Sequence, residues 1–243
     1  MTEPQGRKGE LKTFVLIHGA GSDSWYWHLV APELQARGHD VVTPDLPAGD
    51  DSAGLAEYTD TVVDAIGNRT DLVVVAQSMA GFTAPLVCVR VPVGMMILVA
   101  AMVPRPGESP GDWWANTGYE QAKRENDERD GRPTDGEFDP MVAFFHDVPP
   151  GVVAQAMGHE VVQSGTPFEK PWPLEAWPDV PTRFLLCRQD RFFPADFLRR
   201  VVRQRLGITP DEMDSGHLPA LSHPKELAGR LEAYAASVEG TPA

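Results

Sequence analysis

Residues 72–81, LVVVAQSMAG, decide how this chain folds. Leu72–Ala76 is an unbroken aliphatic run rich in valine, the composition of a strand buried on both faces. Gln77, Ser78 and a helix beginning near Met79 follow at once. A serine on the turn from a buried strand into a helix projects beyond the sheet edge from a strained backbone, the geometry of a nucleophile elbow. The residues two before and two after it are Ala76 and Ala80, where glycines are usual, and Gly81 comes next.

The same rhythm extends outward. Thr13–Ile17, Asp40–Thr43 and Met95–Ala101 read as strands, Trp25–Arg37 as a helix with Gly38 as its C-cap, and Leu55–Ile66 as a second helix. Between Pro104 and Pro181 the pattern stops. That stretch is rich in Pro, Gly, Trp and charge, contains helical pieces such as Pro140–His146, and shows no strand. It then resumes with strand Thr182–Cys187, helix Ala195–Leu206, a short strand Thr209–Asp214 and helix Pro224–Val238. Aliphatic strands alternating with helices require a parallel sheet covered on both faces, with right-handed crossovers and ligand sites beyond the C-terminal strand ends. The expectation is an α/β fold: a doubly wound, mostly parallel sheet of about six strands. Its core parts are 1–103 and 182–243, with a mainly helical lid inserted at 104–181.

Composition narrows the class. With 243 residues, 42% hydrophobic and 23% charged, the chain is long enough to bury a core without a disulfide or metal staple. Lys plus Arg number 21 against 35 Asp plus Glu, a net −14 that repels phosphate backbones and anionic lipid, so neither nucleic acid nor membrane is an expected partner. The longest apolar run, Val93–Val103, falls short of the about 20 residues that span a bilayer. The N-terminal TEPQGRKGELK has no apolar stretch of a signal peptide, and a soluble cytoplasmic protein is expected. Cys88 and Cys187 lie far apart in apolar runs and read as buried, reduced thiols.

Strand ends carry the chemistry. Asp190 lies just past the strand ending in CRQD, and His217 follows the last short strand in Ser215-Gly216-His217, so Ser78, Asp190 and His217 all fall at one edge of the sheet. A serine hydroxyl needs a base to accept its proton; an imidazole, with an unperturbed pKa of about 6.5, suits that work, and a carboxylate fixes its tautomer. A developing oxyanion needs fixed donors, here the Met79 amide and, from the loop His18-Gly19-Ala20-Gly21 after the first strand, the Ala20 amide.

With these segments in hand, the sequence resembles the serine α/β-hydrolases, and within them the branch of plant methyl-ester esterases, hydroxynitrile lyases and bacterial esterases. VLIHGAG, VVVAQSMAGF, CRQDRFFP and SGHLPALSHP are the matching segments. The resemblance implies the α/β-hydrolase fold, a lid over an apolar acyl pocket, an acyl-enzyme formed on a small-molecule ester, and no cofactor. It also has departures. The family usually has His at Gln77 and Gly at Ala76 and Ala80; its hydroxynitrile lyases carry Thr at Gly19 and Lys at Leu218, where an ammonium would stabilise departing cyanide. The residues here favour an esterase. A weakly hydrolytic ligand-binding protein, or another triad reaction such as thioester hydrolysis, C–C cleavage or hydroxynitrile lysis, stays open at this point.

The remaining candidates read blandly. His28, His39, His146, His159 and His223 show no metal-ligand spacing, and His18 belongs to the first loop as a structural residue. Asp45 and Asp214 are rival acids. Met102, Trp113, Trp114, Phe144, Phe145 and Trp172 either line an acyl pocket or pack the lid.

Overall fold

In the computed structural model, residues 11–135, 137–159 and 161–237 are described; the polar N-terminal segment before Leu11, and Val238 at the expected end of the last helix, lie outside them. Six strands form one wholly parallel sheet in the order β2-β1-β3-β4-β5-β6. They are β1 (Thr13–Ile17), β2 (Asp40–Val42), β3 (Leu72–Gln77), β4 (Val93–Val99), β5 (Thr182–Cys187) and β6 (Asp211–Met213). Along each central strand, alternate residues face opposite sides. Val15, Ile17, Val74, Ala76 and Leu98 join the apolar cluster under α2 (Leu55–Ile66), α3 (Ala84–Cys88) and α8 (Ala195–Leu206). Phe14, Leu16, Val73, Val75 and Ile97 join the cluster under α1 (Ala31–Gln35), α9 (Pro219–Ser222) and α10 (Pro224–Ser237). Burial on both faces explains why these strands read as continuous aliphatic runs.

Two expected helices differ, each because of a proline. Trp25–Arg37 is not continuous: a 3-10 turn, Ser24–Trp27, precedes the short α1, whose first turn holds Pro32. A proline ring collides with the carbonyl four residues earlier, here His28, so an α-helix cannot run through it. The cap of α1 is Ala36, with Gly38 taking φ +95° two residues later. Likewise the segment after Ser78 is a 3-10 turn, Ser78–Gly81, separated from α3 by Pro85 in its first turn. β4 begins two residues earlier than expected, and Pro140–His146 shortens to a four-residue helix.

Residues 104–181 contain α4 (Pro110–Thr117), α5 (Tyr119–Arg129), α6 (Pro140–Ala143) and α7 (Pro150–Ala156), and no strand among the described residues. Indole N–H groups tie this segment to the sheet-bearing parts, Trp113 donating to Val103 O at 3.1 Å and Trp172 to Phe82 O at 3.0 Å, while Trp177 donates within the segment to Pro104 O at 3.1 Å. Beneath α4, Glu108 and Arg205 of α8 form an ion pair with side chains 4% and 2% exposed. Their remaining valences are filled: Arg205 Nη1 donates to Val103 O at 2.6 Å, and Glu108 accepts from Asn116 Nδ2 at 3.0 Å. A buried pair of this kind contributes little net stability when intact, but removal of one partner strands the other charge. Glu108→Ala is therefore expected to cost about 3–5 kcal/mol in urea unfolding; an unchanged midpoint would show that Arg205 finds another partner.

Candidate active site

The order of strand addition reverses at β1: the chain leaves β1 toward β2 on one side and returns to β3 on the other, all strands staying parallel. Loops leaving two such strands diverge and open a crevice at their C-terminal ends. The loop His18–Gly21 leaves β1 there, and Ser78 leaves β3 beside it.

Ser78 has φ +53°, a left-handed conformation that is uncommon for a residue with a side chain. Close packing around it holds the strain. Ser78 O accepts from Met102 N at 2.9 Å. A Cβ on Gly81 would sit 1.9 Å from Met102 O, so the glycine this elbow requires lies one residue past the flank, while the methyls of Ala76 and Ala80 are buried without conflict. A Cβ on Gly19 would sit 2.5 Å from Gln77 Oε1 and 2.9 Å from Ser78 Cβ, so the first loop presses its bare backbone against the elbow.

Ser78, His217 and Asp190 meet above this edge. Ser78 Oγ lies 3.1 Å from His217 Nε2, and His217 Nδ1 lies 2.7 Å from Asp190 Oδ2. Asp190 Oδ1 accepts from the amides of Phe192 and Phe193, each at 2.8 Å, which fixes the carboxylate plane. With Nδ1–H donating to the carboxylate, Nε2 is the free acceptor facing the serine hydroxyl. All three residues are buried. Gln77 Nε2 donates to His217 O at 3.2 Å. The rival acids lie elsewhere: Asp45 accepts from Ser24 N at 2.7 Å, and exposed Asp214 pairs with Arg188.

Met79 N is in the first turn of the 3-10 segment, where a helical N–H has no intrahelical partner. Ala20 is exposed in the first loop, and its neighbour Gly21 donates to Gln163 Oε1 of the insertion at 2.9 Å. His18 builds the base of that loop. Its Nδ1–H donates to Gly19 O at 2.9 Å and its Nε2 accepts from Leu46 N at 3.1 Å, a pattern only the neutral ring satisfies. Burial lowers its pKa from the usual 6.5.

The aromatic candidates separate. Phe144 stands 5.3 Å, ring to ring, from His217, and Trp114 packs on Tyr119 and Phe192. Trp113, Trp172 and Met102 are at most 1% exposed and belong to the core beneath the insertion, while Phe145 packs into the cluster on the other face of the sheet. Sequence reasoning overlooked Phe192 and Phe193, whose rings each lie 5.1 Å from His217. Their signal was available, since they follow Asp190 within CRQDRFFP. A cleft of about 1110 Å³ beside Phe144 and Phe192 is lined by these rings, Trp114 and Tyr119, and equally by charged residues such as Lys123, Arg132 and Arg191.

No cluster of His, Cys, Asp and Glu able to hold a metal occurs among the described residues. His28 and His159 instead stack on Trp25 at 4.2 and 4.6 Å. Burial pushes the Cys88 thiol up to about 12 and Cys187 higher, so both stay protonated. No described helix is long and apolar enough to cross a membrane.

Residues 14–230 match the alpha/beta hydrolase family. Norfluorocurarine synthase 1 from a Strychnos species is 24% identical, over 96% of this chain and 99% of that protein. Methylesterase 3 of Arabidopsis thaliana is 23% identical, over 89% and 93%. Among solved structures, polyneuridine aldehyde esterase matches with a TM-score of 0.74 at 20% identity, covering 92% of this chain and 99% of that one, a likeness of fold.

His18 generates a pH test. Its folded pKa lies below 6.5, so on acidification the unfolded chain binds a proton that the native ring resists. Stability present above the unfolded value is then lost as pH falls. Between about pH 7.5 and pH 5, the urea midpoint of the wild type should drop further than that of His18→Gln. Equal drops would show that His18 titrates freely in the fold.

Proposed function

The chain belongs to the alpha/beta hydrolase family, and from that premise we propose that it is a serine esterase cleaving small or medium, apolar carboxylic esters through an acyl-enzyme. The observation that carries the reading is the bridging imidazole, within hydrogen-bond reach of both the Ser78 hydroxyl and the Asp190 carboxylate. Ser78 Oγ attacks the ester carbonyl while His217 Nε2 takes its proton, and Asp190 holds the ring and stabilises the imidazolium. The Ala20 and Met79 amides hold the oxyanion, each worth about 3–4 kcal/mol by the subtilisin precedent. The alcohol departs with the proton from His217; water, deprotonated by the same nitrogen, then releases the acid.

Residues 104–181 serve as the lid, and the rings of Phe144, Phe192 and Phe193 favour an apolar group beside the reacting carbonyl. The names of methylesterase 3 and polyneuridine aldehyde esterase support ester cleavage. Cyanohydrin lysis is disfavoured, because Leu218 packs into an apolar cluster where a cation would be needed beside the leaving cyanide. The reaction uses side chains, two backbone amides and water. The unpaired thiols accord with a cytoplasmic setting, and the net −14 with a small-molecule partner rather than a polyanion.

Ser78→Ala should lower kcat on p-nitrophenyl esters by about a thousandfold or more, and an organophosphonate should add its mass to Ser78 of the wild type. Full turnover by Ser78→Ala, or a folded wild type that resists labelling, would overturn the proposal.

A further inference from the structure

The segment carrying His217 is tethered at three successive residues. Gln189 N, in the turn two residues past β5, donates to Ser215 O at 3.0 Å. Gln77, at the end of β3, donates to His217 O at 3.2 Å. Between them, the Gly216 amide donates to Asp147 Oδ2 at 2.6 Å. The first tether comes from the turn after β5 and the second from β3; the third comes from residues 104–181, in the loop between α6 and α7.

We propose that Asp147 is a positioning residue for His217: its carboxylate, carried on the insertion, holds the Gly216 amide and so sets where the imidazole stands. The inference rests on the reading of His217 as the base. A charge-assisted bond to a backbone N–H is shorter and stronger than a neutral one, and this one acts on the residue directly before the imidazole. The fit is close. A Cβ on Gly216 would lie 2.5 Å from Asp147 Oδ1 and 2.8 Å from His146 Nε2, so the carboxylate is seated on bare backbone that only glycine provides. Asp147 is 11% exposed, and its Oδ1 is buried without a hydrogen-bond partner. Asp147 Oδ2 also faces His223 Nδ1 at 3.8 Å, but the Gly216 amide at 2.6 Å is its short hydrogen bond, and a carboxylate this enclosed is held in place by the groups it pairs with.

The contact is separable from the docking of its own loop. Val148 is buried, and Phe145 packs beside it against the cluster that also takes Leu218 and Ala220, so the segment has apolar anchors of its own. Removing the carboxylate therefore frees the Gly216 amide without undocking the insertion. It follows that the base is fully aligned only while the insertion is seated.

Asp147→Ala, and Asp147→Leu, which keeps the branched shape with bulkier methyls and accepts no hydrogen bond, are expected to lower kcat on a p-nitrophenyl ester about tenfold, with KM changed by less than about twofold. Organophosphonate labelling of Ser78, which reads activation of the serine directly, should slow by the same factor. Asp147→Asn, which keeps an acceptor, should recover most of both rates. Unchanged kcat and labelling in Asp147→Ala and Asp147→Leu would overturn the inference, as would losses that track the thermal midpoint with no recovery in Asp147→Asn. Ser78→Ala run alongside reports on the nucleophile itself, so a silent Asp147 in an enzyme that Ser78→Ala inactivates overturns this inference alone.

Discussion

The approach of three backbone segments at the end of β3 is the constraint on which the rest of the structure depends. The first loop comes in at Gly19, the elbow turns at Ser78 with φ +53°, and the chain leaving β4 presses Met102 O against Gly81. None of the three tolerates a larger neighbour. The strain at Ser78 persists because the packing around it over-determines that one backbone conformation. The hydroxyl is thereby thrown out of the sheet, and the Met79 N–H is left at a helix start without an internal partner.

Charge in the site is arranged on that frame in surroundings nearly closed to water. Asp190 takes two amides from the residues that follow it and gives its other oxygen to His217, so one short loop both fixes the carboxylate and supplies Phe192 and Phe193 against the imidazole. In the proposed reaction, the proton taken from serine by the imidazole would develop charge beside fixed groups that need not reorganise. Residues 104–181 bring Phe144 beside His217 and accept from the backbone of two loops, Gln163 from Gly21 and Asp147 from Gly216.

Much of this was legible in the sequence, and what was not has physical causes. The strands showed because burial on both faces leaves an unbroken aliphatic signature, and α2 and α8 showed because their apolar stripes run uninterrupted between clear ends. The helix expected at Trp25–Arg37 failed at Pro32, a local veto that apolar periodicity does not register. Ser78, Asp190 and His217 could be assigned to one rim because each follows the C-terminal end of a strand, and strand ends of a parallel sheet share one edge. The acyl-pocket candidates were chosen by type alone. Aromatic character does not tell Trp113, sealed in the core, from Phe144, standing over the imidazole; only the tertiary path of residues 104–181 separates them. Asp147 carried no signal, since one acid in a charged insertion is distinguished only by the glycine it meets 69 residues later.

Gly19 is bound to the elbow in a way that governs how this chain could evolve. A methyl at position 19 would meet Gln77 Oε1 at 2.5 Å, the tip of a flexible side chain that can swing aside. It would also meet Ser78 Cβ at 2.9 Å, which moves only if the elbow or the loop itself recedes. Sequence drift toward a β-branched residue at 19 is thus closed to single substitutions, and an engineer remodelling this rim would have to treat loop and elbow as one inherited unit.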